Sequence, residues 1–361
     1  MARALELARR GVGWVEPNPP VGAVIVRDGR EIARGWHERH GGAHAEVAAL
    51  AAAREAGADV RGATMYVTLE PCCHVGKTPP CADALIAAGV ARVVVAMIDP
   101  DERVAGRGVA KLREAGIDVD VGVGEGEARR LLAPYVKLRT ARRPWVLCKW
   151  AQTADGYLAL PAGEGRWISG EASRQRAHEL RSYCDGIGVG VGTVLADDPL
   201  LTNRSGRGRQ PVRLVLDARL RTPAESQLLR TAAADQPVLI AATRQGVADH
   251  GDRADALRGA GAELLVLPAS PGGVDLPSLL DELGRRQWTR LLVEGGAKVL
   301  RQVISSRLAD ELWVFVAPRR PAGPTAGLPH LDVAELREQF PMPGPQRETC
   351  GCDTLLRFER I

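Results

Sequence analysis

The chain has 361 residues, which is long for a single domain and suits two. Hydrophobic residues make up 45% and charged residues 25%, a balance typical of globular proteins. The net charge of +4 is too small to require a polyanionic partner, and local arginine clusters such as Arg204, Arg207 and Arg209 are typical of a solvated surface.

The amino-terminal segment predicts a short amphipathic helix over residues 2–13, in which charged and apolar residues alternate. A signal peptide needs a continuous apolar core, which this segment lacks, and no apolar run is long enough to cross a membrane. We therefore expect a cytoplasmic protein. Pro17-Asn18-Pro19-Pro20 ends the helix and favours an extended loop.

The rest of the first 143 residues predicts a hairpin and then alternating strands and helices. Strands are expected over 21–26 and 31–36 on either side of the turn signal Asp28-Gly29. Helices are expected over 44–56, 81–88, 109–115 and 126–139, with strands over 64–69, 92–98 and 117–121. This order indicates a layered α/β domain over residues 1–143, with a boundary at Arg142-Arg143-Pro144.

Strand signals restart after the boundary and predict a second α/β domain over residues 144–361. The expected strands are 145–150, 187–191, 212–216, 238–242, 264–267, 290–293 and 311–317. Helices intervene, notably over 171–183 and 297–305, and the proline- and glycine-rich stretch 319–329 indicates a loop. This domain is long enough to have its own hydrophobic core.

A metal-binding pattern lies in the first domain. His44 and Glu46 sit at a predicted helix start, Cys72 lies in a loop, and Cys81 opens the next helix. A catalytic zinc site takes three protein ligands and leaves the fourth position for water, whose pKa the metal lowers. A nearby carboxylate that does not bind the metal then moves the protons, which suits Glu46. The pattern therefore predicts a hydrolytic zinc deaminase with ligands His44, Cys72 and Cys81.

Other interpretations of these residues stay open at this point. Each cysteine alone is typical of a small buried apolar residue. A structural zinc site would recruit Cys73 or His74 as a fourth ligand, but it would leave Glu46 without a role. A nucleic-acid or nucleoside deaminase with an unrelated appended domain would show a basic groove and a P-C-x-x-C motif, whereas these two cysteines are nine positions apart.

Several motifs of the first domain closely resemble the bifunctional riboflavin-biosynthesis deaminase/reductase family. They are Pro17-Asn18-Pro19, Gly35-Trp36-His37, His44-Ala45-Glu46 and the segment from Thr68 to Cys81. The resemblance implies a cytidine-deaminase-like three-layer α/β/α fold that deaminates 2,5-diamino-6-ribosylamino-4(3H)-pyrimidinone 5′-phosphate. It also implies a substrate pocket formed by Asn18, His37, His74, Lys77 and Asp99. One departure is Asp101, where the family usually has asparagine.

The resemblance continues through the second domain. It rests on Lys149-Trp150-Ala151, Trp167-Ile168-Ser169, the run from Gly190 to Arg204, and Glu294-Gly295-Gly296. The Rossmann pattern G-x-G-x-x-G is absent, but glycine turns after two predicted strands suit phosphate binding. The resemblance implies a dihydrofolate-reductase-like fold that uses NADPH to reduce the ribosyl group of 5-amino-6-(5-phosphoribosylamino)uracil to ribityl.

The resemblance also assigns residues in the second domain. Lys149 would act on the opening sugar, and the substrate would contact Arg181, Leu201, Arg204 and Glu294. NADPH would contact Gln152, Trp167, Thr193, Asp197 and the segment Gly296, Ala297, Lys298, Val299, Leu300, Arg301 and Gln302. Gly165 and Ala218 stand where the family has serine. The resemblance further implies a homo-oligomer, a dimer or tetramer, that acts on a small phosphorylated pyrimidine and binds neither nucleic acid nor a membrane.

Overall fold

The computed structural model describes residues 1–74, 79–165, 167–335 and 343–360, so the predicted substrate residue Lys77 lies outside the described residues. The chain divides into two compact units, Met1–Arg142 and Arg143–Ile361. Within the described ranges, no helix is both long and apolar enough to span a membrane.

The first unit is a five-stranded mixed sheet with five helices among its described residues. Its elements are α1 Ala2–Arg9, β1 Gly22–Arg27, β2 Arg30–Trp36, α2 Ala45–Glu55, β3 Thr64–Val67, α3 Cys81–Ala88, β4 Arg92–Val95, α4 Arg107–Glu114, β5 Asp118–Val121 and α5 Glu125–Ala141. The strand order is β2-β1-β3-β4-β5. Strand β1 is antiparallel to β2 and β3, whereas β3, β4 and β5 are parallel, so their carboxyl ends lie at one edge.

Alternating side chains of β1 bury both faces of the first sheet. Ala23 and Ile25 belong to the large core that includes α2, whereas Val24 packs in a smaller cluster with α1. Helix α2 crosses β2 at Gly35, where a Cβ atom would lie 2.4 Å from the backbone nitrogen of Ala49. The missing side chain therefore lets α2 lie directly on the sheet, which places its first residues beside the carboxyl end of β3.

The second unit is built on a nine-stranded sheet. Its elements are β6 Trp145–Gln152, α6 Glu171–Ser182, β7 Gly186–Gly190, α7 Val191–Asp197, β8 Val212–Leu216, α8 Gln227–Arg230, β9 Val238–Thr243, α9 Arg244–Asp249, α10 Gly251–Gly259, β10 Ala262–Leu267, β11 Ala269–Ser270, β12 Gly273–Val274, α11 Leu276–Arg285, β13 Arg290–Glu294, α12 Ala297–Ser305, β14 Glu311–Val316, β15 Gln346–Cys350 and β16 Asp353–Glu359. The order is β10-β9-β8-β7-β13-β6-β14-β16-β15. The seven strands from β10 to β14 in this order are parallel, and β16 and β15 extend the sheet antiparallel.

The structure differs from the sequence expectations at several places, among them the end of α1, the short strands β11 and β12, and the last two strands. Helix α1 ends at Arg9 and not at residue 13, because Gly11 lies against the backbone, where a Cβ would meet the carbonyl oxygen of His37 at 2.5 Å. Strands β15 and β16 were not predicted. They lie at the edge of the sheet, where polar and charged residues alternate with buried ones such as Leu355.

Candidate active sites

Three side chains of the first unit converge beside the carboxyl end of β3. His44 is the N-cap residue of α2, Cys72 follows β3, and Cys81 is the first residue of α3. The Nδ1 atom of His44 lies 3.6 Å from the Sγ of Cys72 and 3.3 Å from the Sγ of Cys81. The backbone N–H of Cys81 donates to the Cys72 sulfur at 3.2 Å. All three ligand atoms lie within 4.8 Å of one another.

This geometry fits a zinc ion. Tetrahedral zinc with Zn–S bonds of about 2.3 Å and Zn–N bonds of about 2.0 Å holds its ligand atoms roughly 3.6 Å apart. The Cys81 thiol, and then His44, lower the pKa of Cys72 to about 4. The Cys72 sulfur and burial raise the pKa of Cys81. A cation between the two sulfurs would stabilise both thiolates, which is what a metal site requires.

No fourth ligand joins the group among the residues that the structure describes. Cys73 lies outside it, because its thiol donates to the carbonyl oxygen of Arg103 at 3.8 Å. The Nδ1 atom of His74 is buried and has no hydrogen-bond partner in the described part of the chain. The three-ligand arrangement is that of a catalytic zinc site with an open position.

Glu46 lies in the first turn of α2, two residues after His44, and is almost fully buried. Its carboxyl group interacts with the Cys81 thiol, but it is not a member of the three-ligand group. Burial raises the pKa of Glu46 to about 7. A carboxyl group with a pKa in this range both accepts and releases protons near neutral pH.

His37 and Asn18 form a pair beside the metal ligands. The buried His37 ring donates from Nδ1 to the carbonyl oxygen of Ala43 at 2.8 Å, and its Nε2 accepts from the Asn18 amide at 3.1 Å. Burial lowers the pKa of His37, which keeps the ring neutral in this arrangement. The rings of His37 and His44 meet edge to face, with centroids 5.5 Å apart. The pair therefore orients the Asn18 amide close to the ligand group.

Asp99 follows β4 and is held by its neighbours. Its carboxyl oxygens accept from the Tyr135 hydroxyl at 3.0 and 3.3 Å and from the backbone N–H of Asp101 at 2.9 Å. Burial raises the pKa of Asp99 to about 6. The structure thus places Asp99 at the carboxyl edge of the sheet, with Tyr135 fixing its orientation.

Glu70 is a residue of this region to which the sequence reasoning assigned no role. Its buried carboxylate accepts from the backbone N–H groups of Asp99, Gly106 and Val109 at 3.2, 2.9 and 3.0 Å. Gly108 also packs against this segment, since a Cβ there would lie 2.0 Å from the Pro71 carbonyl oxygen. Glu70 therefore ties the loop that carries Cys72 to the loop that carries Asp99. The glutamate directly after a strand, followed by Pro71-Cys72, was the available signal.

Asp101, which replaces the family's asparagine, is bound by arginines. Its carboxylate accepts from the backbone N–H and the side chain of Arg103 at 2.6–3.0 Å, and Arg139 lies 3.8 Å away. Arg103 holds the pKa of Asp101 at about 2. The added negative charge is therefore neutralised within the loop.

In the second unit, charged side chains meet where β13 ends beside the neighbouring strand β6. Glu294 ends β13 and is the register partner of Lys149 in β6, and its carboxylate lies 4.0 Å from the Lys149 ammonium. Arg181 of α6 donates to both oxygens of Glu294 at 2.9 and 2.8 Å and to the Thr202 carbonyl oxygen at 2.9 Å. Three predicted site residues are thus in one network.

Burial strengthens the interactions among the charges of this network. Burial alone would raise the pKa of Glu294, but the charges of Arg181 and Lys149 outweigh it and hold the pKa at about 2. Burial lowers the pKa of Lys149, although Glu294 opposes this effect. A lysine held in this way is a better proton donor than an exposed one.

A glycine-lined turn follows β13 beside the start of α7. Gly295 and Gly296 have φ angles of 69° and 72°, and a Cβ on Gly296 would lie 3.2 Å from the Thr193 hydroxyl. Gly296 is the N-cap of α12, whose first N–H groups have no acceptor within the helix. These groups and the Thr193 hydroxyl fit the phosphates of a dinucleotide, because helix N-termini favour anions.

The remaining predicted cofactor residues lie in different settings. Val299 and Leu300 point into the core, so only their backbone can face a ligand, and the Gln152 amide oxygen accepts from the Trp150 indole at 2.7 Å. Trp167 is 55% exposed, with the Arg174 guanidinium over its ring. The others lie as follows: Asp197 ends α7, Ala297 and Lys298 open α12, Arg301 donates to the His330 carbonyl oxygen, and Gln302 lies beside Gly272.

Four further residues named from the sequence are two predicted substrate contacts and two positions at which this chain lacks the family's serine. Leu201 is buried in a core cluster with a φ of 53°, whereas Arg204 is exposed. Gly165 has a φ of 98°, a conformation that serine rarely adopts. The carbonyl oxygen of Ala218 accepts from the Thr243 hydroxyl at 2.8 Å.

Comparison with known proteins identifies both units. Residues 1–97 match the cytidine and deoxycytidylate deaminase zinc-binding region, and residues 144–320 match the RibD C-terminal domain. The fold and sites thus define a zinc-binding deaminase joined to a reductase. Riboflavin biosynthesis protein RibD of Actinobacillus pleuropneumoniae is 42% identical over 99% of this chain and 94% of its own length. The chain belongs to the RibD family.

Other relatives also match the whole chain. RibD of Aquifex aeolicus is 40% identical over 100% of this chain and 97% of its own length. The crystal structure of a diaminohydroxyphosphoribosylaminopyrimidine deaminase/5-amino-6-(5-phosphoribosylamino)uracil reductase from Thermotoga maritima is 35% identical, covers 100% of this chain and 97% of its own, and has a TM-score of 0.84.

These matches confirm the predicted fold class, the bifunctional deaminase/reductase activity in riboflavin biosynthesis, and the use of zinc and NADPH. They also remove the alternative of a nucleic-acid deaminase with an unrelated appended domain, because the relatives cover both units.

Proposed function

We propose that this chain deaminates 2,5-diamino-6-ribosylamino-4(3H)-pyrimidinone 5′-phosphate in residues 1–143 and reduces the resulting 5-amino-6-(5-phosphoribosylamino)uracil in residues 144–361. The observation that carries the first assignment is the three-ligand group of His44, Cys72 and Cys81 with the buried Glu46 beside it. The network of Lys149, Arg181 and Glu294 supports the second.

In the deaminase site, His44, Cys72 and Cys81 would hold zinc, which when bound acts as a Lewis acid toward water. Glu46 takes one proton from the attacking water and gives it to the ring nitrogen, and it then carries the second proton from the new hydroxyl group at C2 to the leaving amine. Asn18 and His74 orient the ring, together with Asp99, and Lys77 binds the phosphate or a ring carbonyl. The His37 hydrogen bond keeps the Asn18 amide in position.

In the reductase site, the turn at Gly295-Gly296, the Thr193 hydroxyl and the N-terminus of α12 would hold NADPH, which supplies the hydride for C1′ of the ribose. Arg181, Arg204 and the backbone of Leu201 position the phosphorylated sugar. Lys149 donates a proton to the sugar as it opens, and Glu294 keeps the lysine charged. Trp167, Asp197 and Gln152 contribute further cofactor contacts.

The test is to give the purified full chain the pyrimidinone phosphate with and without NADPH and to identify products by mass spectrometry. We expect ammonia release and the deaminated ribosyl compound without NADPH, and the ribityl compound with it. A chain that deaminates but never oxidises NADPH would contradict the reductase assignment. A chain with one equivalent of zinc that releases no ammonia would contradict the deaminase assignment.

The proposal extends to location and assembly. The family resemblance supports a cytoplasmic enzyme that forms a dimer or tetramer, and the cysteines are free among the described residues. Sedimentation of the purified chain at several concentrations tests the assembly, and a monomer at all of them would contradict it.

A further inference from the structure

His178 lies in the reductase region and has no assigned role. It belongs to α6 and precedes Arg181 by three positions, so the two side chains share one face of the helix. Its Nδ1 atom is buried and has no hydrogen-bond partner within the described residues. A buried polar atom without a partner costs free energy, which a ligand can offset by forming the missing hydrogen bond.

Charged side chains on several elements act electrostatically on His178. They are Arg181 on the same helix, Arg204 in the loop after α7, Glu294 at the end of β13 and Lys149 in β6. Three of these side chains are positive and one is negative, which leaves a net charge of +2. A phosphate monoester carries a charge of about −1.5 to −2 at neutral pH, so it complements this surrounding charge.

The protonation state of His178 suits such a contact. Burial, followed by the charges of Arg181 and Arg204, lowers the pKa of His178 to about 4. The ring is therefore neutral at neutral pH, and a neutral imidazole keeps one N–H donor. Arg181 already gives three of its N–H donors to Glu294 and Thr202. A second donor beside it can therefore form a hydrogen bond to a ligand for which those three N–H groups are not free.

We propose that His178 is a substrate-binding residue of the reductase, and that its Nδ1–H donates to the 5′-phosphate of the phosphorylated sugar between Arg181 and Arg204. This inference rests on the proposed function, because it takes the phosphoribosyl compound as the reductase substrate. It adds a neutral donor to the charged groups at that site.

The test compares His178→Ala, His178→Asn and His178→Gln in the full chain, with Gln175→Ala on the same helix as the control, since Gln175 is exposed. We expect His178→Ala to raise the KM for the phosphorylated substrate about ten- to hundredfold, as for a hydrogen bond to a charged group. The KM for NADPH and the deaminase rate should stay within twofold. His178→Asn places an amide near the Nδ1 position, so it should recover most of the loss, and His178→Gln should not.

A substrate without the phosphate makes the test specific. With the dephosphorylated ribosyl compound, wild type and His178→Ala should have equal kcat/KM, because the contact is absent in both. An equal loss with both substrates would overturn the inference, and so would a KM for the phosphorylated substrate that does not change.

Binding measurements separate this inference from the proposed function. Calorimetric titration with ribose 5-phosphate, and with ribose as the control, needs no turnover. If wild type never oxidises NADPH, the proposed function fails, yet weaker binding of ribose 5-phosphate to His178→Ala would still support the phosphate contact. Equal binding to both proteins would overturn the contact, whatever the activity.

Discussion

In the first unit the proposed metal ligands are side chains that α2, α3 and the segment after β3 bring within a few ångströms of one another. In the second unit the proposed cofactor surface consists of backbone groups at Gly295-Gly296, and the ion network begins at the preceding residue, Glu294. A metal site depends on residue identity, whereas a dinucleotide site depends on backbone conformation. The two sites should therefore fail in different ways when they are changed.

The largest effect is expected from Glu46→Gln. The amide cannot carry the proton, so the deaminase rate should fall about 10²- to 10⁴-fold. Zinc content should stay at one equivalent, because Glu46 is not in the ligand group. The reductase rate with the deaminated substrate should stay within twofold, since this residue lies in the other unit.

The control for Glu46→Gln is Glu55→Gln at the exposed end of the same helix. Both activities of this variant should match wild type. Deaminase activity in Glu46→Gln equal to wild type, measured as ammonia release, would contradict the role assigned to Glu46.

A second variant, Glu294→Gln, tests the ion network of the reductase. Removing one partner of a buried ion pair costs about 3 kcal/mol or more, so kcat/KM for the reductase should fall about a hundredfold. The reason is that Arg181 and Lys149 would keep their charges without the carboxylate that holds them. NADPH oxidation with the deaminated substrate measures the effect.

Glu263→Gln is the matched control for Glu294→Gln, because the Glu263 carboxylate is exposed and pairs with Arg286 at the surface. Exposed ion pairs contribute about 0–1 kcal/mol, so this variant should stay within twofold of wild type. If the two variants behave alike, the network is not part of the reductase site.

Gly296→Ala tests whether the backbone at the Gly295-Gly296 turn binds NADPH. A side chain there would be strained at a φ of 72° and would lie 3.2 Å from the Thr193 hydroxyl. Strain of this kind costs about 1–3 kcal/mol, so we expect the KM for NADPH to rise about tenfold with little change in deamination. Gly327→Ala is the control, since Gly327 has a φ of 81° and open space at Cβ. A normal KM for NADPH in Gly296→Ala would argue against cofactor binding at this turn.

A site that depends on residue identity can be predicted from the sequence more easily than one that depends on backbone conformation. His44, Glu46 and the two cysteines were identifiable because their chemistry is specific and each lies next to a helix start or a strand end that turn residues mark. Most strands of both sheets were predictable from their apolar runs. Glu70 was not identifiable, because its partners are the backbone N–H groups of residues 29 to 39 positions later, which only the fold brings close.

In the second unit, prediction from sequence was limited by distance along the chain. Arg181 and Glu294 are 113 positions apart, and no local pattern relates them before the parallel pairing of β13 with β6 and β7 is known. The short helix α7 follows β7 directly, so its first residue was included in the predicted strand. Val299 and Leu300 were expected at the cofactor, but their side chains serve the core, which leaves only their backbone for binding.

The smallest effect is expected at Asp101, which tests whether a departure from the family pattern changes the deaminase site. Asp101→Asn removes a negative charge, because Arg103 holds the pKa of Asp101 at about 2 and the carboxylate is therefore ionised at neutral pH. Because the carboxylate faces Arg103, whose side chain is mostly exposed, the loss should be below about 1 kcal/mol. We expect kcat/KM for deamination within threefold of wild type.

Arg103→Ala separates the charge of Asp101 from its position in the loop. In Arg103→Ala, the buried carboxylate of Asp101 keeps the backbone N–H of residue 103 and, as its charged neighbour, the more distant Arg139, 3.8 Å away. More of its negative charge then becomes available to repel an anionic substrate. Arg103→Ala should therefore raise the KM for the phosphorylated substrate more than Asp101→Asn does, and the double variant should return toward wild type. If Asp101→Asn alone changes kcat/KM more than tenfold, the carboxylate contacts the substrate directly and its pairing with Arg103 is not what makes the departure tolerable.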